Sequence, residues 1–189
     1  MNTMITRTKI VVPRRPANLL TRGRLVDLML DLLEYRFILI TAPAGYGKTS
    51  LLIDFAHQAD MPVCWYSLDA LDQDPQCFLA HFIASIAERF PNFGRQAEAI
   101  LSDSSAAFDL NQLVRVVVNE AYKQIREHFV IVLDDYHLIA GNKTIDQFVS
   151  SFAQRVDENC HTDFPGGLFR PWNWQVFYCR PSPRNVTVS

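Results

Sequence analysis

In APAGYGKTS, residues 42–50, an ammonium (Lys48) and a hydroxyl (Thr49) follow directly on two glycines, Gly45 and Gly47. Such a set can grip a polyphosphate. Backbone N–H groups of a glycine-containing turn at a helix N-terminus point at phosphate oxygens, and the helix dipole favours negative charge there. A lysine then reaches the terminal phosphates, and a hydroxyl binds the accompanying magnesium ion. The residues expected to form the cradle are Ala42, Pro43, Ala44, Gly45, Tyr46, Gly47, Lys48, Thr49 and Ser50. The usual pattern has glycine where Ala42 stands. Alanine costs little there if the residue is still extended, as the end of a strand is. Tyr46 need supply only its N–H, so its ring is expected outside the loop. The competing structural reading is a glycine turn joining strand to helix beside an exposed lysine.

A second group of chemistry-bearing residues ends the run FVIVLDD, residues 129–135. Ligands of an open parallel sheet bind at the carboxyl ends of its strands. Asp134 is therefore expected to hold Mg²⁺ with Thr49, and Asp135 to orient or deprotonate an attacking water. Lys48 and Asp135 are the expected catalytic pair, and Thr49 and Asp134 the expected metal ligands. Strand ends favour aspartate in any case, so the carboxylates take their meaning from the loop upstream. His137 reads as a turn residue before a phosphate partner. Asp69 reads equally as a crevice group or as the start of a turn, and Trp65 and Tyr66 as core rather than a base platform.

The elements that must position these groups are legible from periodicity. Leu25, Leu28, Met29, Leu32 and Leu33 share one helical face, and FILITA (residues 37–42) reads as a fully buried strand. A helix over residues 50–58, a strand over 62–68 and a helix opened by Asp74 and Pro75 follow. Asp109 with Gln112 resembles a capping box before the next helix, FVIVLDD is a third strand, and Thr144 with Gln147 caps a last helix over 144–156. Strands alternating with amphipathic helices imply an α/β domain with a mainly parallel sheet flanked by helices.

Composition excludes some classes. A net charge of −2 gives no general reason to expect nucleic acid as a partner, and no apolar run reaches the length of a membrane span. The basic cluster Arg7, Arg14, Arg15, Arg22 and Arg24 is followed by Asp27, Asp31 and Glu34 and reads as a solvated face. Cys64, Cys77, Cys160 and Cys179 form no C-x-x-C pair and read as thiols of a reducing compartment; a zinc site from Cys160, His161 and Cys179 makes a weak case. A cytoplasmic protein is expected.

TAPAGYGKTSLL, CWYSLDALDQDP and VIVLDDYHLI, in that order and spacing, resemble the ATPase domain of MalT-type regulators, the large LuxR-family STAND proteins of bacteria. The opening TKIVVPRRPANLLTRGRLVDLM is similar to that domain's lead-in. The resemblance runs from about Thr8 to about Cys160 and implies a P-loop NTPase fold of the ASCE/STAND type, with ATP or ADP and Mg²⁺ as ligands. It also implies a switch with slow or no hydrolysis in this chain. In such proteins a missing first glycine is usual. Their sheet holds a further strand between the loop strand and the Asp-Asp strand, carrying a polar or arginine sensor. A sensor domain and a DNA-binding helix-turn-helix belong to the family's later segments and are not carried over.

Three regions are therefore expected: a lead-in over residues 1–36, a nucleotide-binding core over 37–158, and an atypical tail over 159–189. The tail has no Ala, Ile, Lys, Glu or Met but holds four of the ten prolines and two of the three tryptophans, which sets the boundary. It reads as the end of a truncated or frame-shifted product. The alternative takes WQVFYCR, residues 174–180, as the displaced strand, with Arg180 as sensor. Under the first reading the sheet is incomplete, with unpaired backbone groups that a full-length relative could complete. The alternatives in function are a non-catalytic regulatory or interaction module, and less favourably a P-loop kinase.

Overall fold

Five stretches of the chain, residues 4–17, 20–34, 37–102, 109–158 and 176–179, are described by the computed structural model. Helix α1 (Arg7–Ile10) and helix α2 (Gly23–Asp31) lie in the lead-in. Strand β1 (Phe37–Ile40) runs through the loop into α3 (Lys48–Gln58). Strand β2 (Val63–Ser67) is followed by α4 (Pro75–Ala87), α5 (Arg95–Ser102) and α6 (Leu110–Gln124). Strand β3 (Val130–Asp134), helix α7 (Lys143–Glu158) and strand β4 (Val176–Cys179) complete the order.

The four strands are parallel, in the order β1-β4-β3-β2. Strand residues alternate between faces, and this splits the core in two. Val63 and Trp65 of β2, Val130 and Val132 of β3 and Ile38 of β1 pack with Leu52 and Phe55 of α3 and with Val26 and Met29 of α2. On the opposite face Cys64, Tyr66, Ile131 and Leu133 meet α4, α6 and α7. There Phe82 packs edge-to-face on Phe148 and Phe152, with centroids 5.1 and 5.2 Å apart. Each fully buried side chain of this size contributes roughly 1.5–3 kcal/mol of burial. Among the described residues no helix is long and apolar enough to cross a membrane.

Side-chain caps mark the starts of α4, α6 and α7. Asp74 accepts from the Cys77 N–H and is followed by Pro75 at the first helical position. Asp109 accepts from the N–H groups of Asn111 and Gln112. Helix α7 begins one residue earlier than Thr144, because Asn142 is the residue whose side chain accepts from the Thr144 and Ile145 N–H groups. Helix α5 escaped the sequence reading altogether. Its start is held from a distance by the buried Glu120 carboxylate, which accepts from the Gln96 and Ala97 N–H groups.

Three expectations are corrected. Strand β1 is not fully buried: Leu39 is 43% exposed, because β1 is an outer strand and the helices of its second face cover β2 and β3. The buried stripe of α2 is Val26 and Met29, whereas Leu28 is 37% exposed. The sheet also does not lack its inner strand. Val176–Cys179 pairs with Phe37–Ile40 on one side and with Ile131, Val132 and Leu133 on the other. A segment of β-branched, aromatic and small apolar residues thus supplies the partners that the buried backbone groups of β1 and β3 require. The gap proposed as a docking edge for a relative is filled from within the chain. Trp174, Gln175 and Arg180 lie outside the described residues, as do Cys160 and His161.

Candidate functional site

The loop leaves β1 and enters α3 through two left-handed glycines, Gly45 at φ 82° and Gly47 at φ 72°. Such angles cost an L-residue roughly 1–2 kcal/mol, which is why glycine stands there. Gly47 is the residue that caps α3, and Lys48 is the first residue of the helix. Ala42 is not among the residues with positive φ, so its Cβ meets no backbone penalty. Tyr46 is 62% exposed, with its ring outside the loop as expected. Its N–H donates to the Pro43 carbonyl at 3.4 Å. The Lys48 ammonium folds back over the loop, donating to the carbonyls of Ala42 at 2.8 Å and Pro43 at 3.2 Å.

Strand parity decides where the carboxylates go. Asp134 continues the Val130, Val132 face, which is the α3 face, and its carboxylate accepts from the Thr49 hydroxyl at 3.0 Å. The structure therefore brings together Lys48, Thr49 and Asp134, the first two from the end of the loop and the third from the end of β3. Asp134 is buried, and its carboxyl pKa is pushed up to about 6, first by burial and then by the neighbouring Asp135 charge. The Thr49 hydrogen bond and the Lys48 charge oppose that rise without cancelling it. A buried carboxylate short of positive charge beside a hydroxyl is a fitting hard-oxygen donor set for Mg²⁺.

Asp135 takes φ 60°, and among the described residues it is the one non-glycine residue with positive φ. Such strain concentrates at functional positions. The Asp135 side chain is exposed and lies 3.7 Å from His137 Nδ1. His137 thus keeps company with Asp135 in the turn. Asp69 proves to be a turn residue: it accepts from the Leu71 N–H and pairs with Lys9 at 2.8 Å. Trp65 and Tyr66 are fully buried core.

The lead-in adds residues that the motif pattern did not single out. Arg22 donates to the Tyr46 carbonyl at 2.8 Å, clamping the tip of the loop from outside. Arg15 donates to the buried Asp54 of α3 at 2.6 Å, leaving the second Asp54 oxygen without a partner. Between these contacts Leu20, Arg22, Gly47, Ser50, Leu51 and Asp54 line a cleft of about 140 Å³ that borders the loop. The sequence signal for Arg22 was present in the basic cluster, but only contact with the loop separates it from its neighbours.

No protein-family model matches the chain. Curated relatives do. The chain is 33% identical over 153 residues to the HTH-type transcriptional regulator MalT of Vibrio cholerae, covering 80% of this chain and 16% of the relative. It is 33% identical over 157 residues to MalT of Yersinia enterocolitica (82% and 17%) and 34% identical over 138 residues to MalT of Cronobacter sakazakii (73% and 15%). The chain spans about a sixth of the length of these relatives, and over that span it is similar to MalT transcriptional regulators.

Proposed function

We propose that this chain binds ATP and ADP with Mg²⁺ at residues 42–50, as the nucleotide-responsive part of a STAND-type transcriptional regulator. The single observation that carries the reading is the meeting of Lys48, Thr49 and Asp134 at the junction of loop, helix and strand. Either glycine or lysine alone is common in turns; a turn, an ammonium, a hydroxyl and a buried carboxylate converging on one helix N-terminus is what a polyphosphate with its cation needs. Likeness to MalT regulators adds support.

In this account the Gly45 and Gly47 turn presents backbone N–H groups to the phosphates, and Lys48 exchanges the Ala42 and Pro43 carbonyls for phosphate oxygens. Thr49 and Asp134 would hold Mg²⁺, which would neutralise phosphate charge when bound. The cleft beside Arg22 and Asp54 offers room for the rest of the nucleotide. Asp135 would orient water.

Isothermal titration of the purified chain with ADP and with ATP, with and without Mg²⁺, tests this. Saturable binding that Lys48→Ala removes supports the proposal. A folded chain that takes up no nucleotide would sink it. Phosphate release that stops in Asp135→Asn while binding persists would assign the water-orienting role.

A further inference from the structure

Away from the loop, the end of β2 and the first turns of α4 gather a second set of reactive side chains. Cys77 and His81 stand four residues apart on α4 and share a face. Asp72 comes to them from the turn before the helix. Cys77 Sγ lies 3.5 Å from Asp72 Oδ1 and 3.7 Å from His81 Nδ1, and Nδ1 lies 4.0 Å from Oδ1. Sulfur, nitrogen and oxygen ligands around a tetrahedral zinc ion, at about 2.3 and 2.0–2.1 Å from the metal, stand roughly 3.3–3.6 Å apart. The Cys77–Asp72 edge at 3.5 Å already lies in that range, and the edges at 3.7 and 4.0 Å need to contract by a few tenths of an ångström.

The Tyr66 hydroxyl is buried next to Asp72. Asp72 and His81 are buried while Cys77 is part-exposed, which leaves an entry path on the thiol side.

We propose that Asp72, Cys77 and His81 form a site for a thiophilic divalent cation of the zinc class. Asp72 contributes Oδ1, because Oδ2 is engaged by the Lys9 ammonium at 2.9 Å and the Asp69 N–H at 2.8 Å. On binding, the Cys77 thiol gives its proton to solvent. Because that proton must leave, uptake is favoured at higher pH. His81 now accepts from the Thr6 N–H at Nε2 (3.1 Å), and its Nδ1–H donates to the Cys77 carbonyl at 2.9 Å. Coordination through Nδ1 moves the ring proton to Nε2, so Nε2 can no longer accept from Thr6. Metal uptake and docking of the lead-in thus compete for one imidazole.

Titrating the full chain with Co²⁺ reads the site directly. A thiolate-to-cobalt charge-transfer band with the visible bands of a tetrahedral ion, reversed by Zn²⁺, is expected, and Cys77→Ser should abolish the charge-transfer band. Its absence in the parent chain, or its survival in Cys77→Ser, overturns the proposal. Lys9→Met removes the cation that faces Asp72 and should tighten Co²⁺ binding about tenfold or more; unchanged affinity would remove Asp72 from the site. Zinc-edge absorption spectroscopy of the zinc-loaded parent chain guards against a variant that fails to fold. One sulfur with nitrogen and oxygen neighbours supports the assignment, and no sulfur or several sulfurs refutes it.

Discussion

Asp134→Asn should make the nucleotide-free protein more stable at neutral pH. Asp134 is buried, and its carboxyl is raised from 3.8 to about 6. A carboxyl with a raised folded pKa holds its proton more tightly folded than unfolded. Its ionisation therefore destabilises the fold progressively as pH climbs from 3.8 to about 6 and fully above that range. The penalty at pH 7 is about 3 kcal/mol, taking 1.36 kcal/mol for each pKa step of one. Asparagine keeps an oxygen that can accept from Thr49 and carries no charge to desolvate. For a chain of 189 residues the gain corresponds to roughly 6–12 °C in melting temperature. The assay is thermal unfolding by circular dichroism, parent against variant, from pH 3 to 8 in a chelator. Taking the difference between the two proteins cancels other carboxyls, including Asp69, which the Lys9 hydrogen bond holds below its usual range and which acts in the opposite sense. The difference should be absent below 3.8, grow up to about 6 and then level off. A variant less stable than the parent at pH 7, or a difference independent of pH, would refute the reasoning.

Other perturbations have definite outcomes. Lys48→Ala should erase any rise in melting temperature with saturating ADP; a ligand at a hundredfold its Kd otherwise stabilises by about 2.7 kcal/mol. Gly47→Ala should weaken nucleotide binding and cost about 1–2 kcal/mol of stability, since φ is 72° and a Cβ would stand 3.2 Å from the Arg22 guanidinium; denaturant unfolding checks the second part. Lys9→Ala leaves the buried Asp72 without its cation and should cost about 3 kcal/mol in the same assay. Burial works against the Lys9 charge, yet the hydrogen bonds to Asp69 and Asp72 outweigh it and raise the ammonium pKa. Phe152→Ala should cost about 3–5 kcal/mol by opening a cavity beside Phe82 and Phe148.

Much of this arrangement was legible in the residues because local rules and the fold agree. The glycines of the loop, the Asp74–Pro75 start of α4 and the four apolar residues before Asp134 each carry their own reason to be where they are. What escaped was held by partners distant in sequence. Helix α5 buries little beyond Ala97 and is capped by Glu120, so its own residues give a faint periodic signal. Val176–Cys179 was legible as a strand and stood as the alternative for the inner one, and pairing with β1 and β3, both distant in sequence, is what decides for it. Arg22 and the Asp72, Cys77 and His81 cluster likewise depend on the lead-in folding back along the domain. The Cys77 and His81 spacing on a helix was visible, but the carboxylate that gives it meaning was not.

The central claim is that backbone N–H groups of the loop hold phosphate. Its most direct measurement is the amide spectrum of the isotope-labelled chain during a titration with ADP and Mg²⁺. The account predicts saturable shifts concentrated at Gly45, Gly47, Lys48 and Thr49, with none in Lys48→Ala at the same concentration. A well-dispersed spectrum in which those amides stay unmoved, or in which the shifts gather elsewhere, would contradict it.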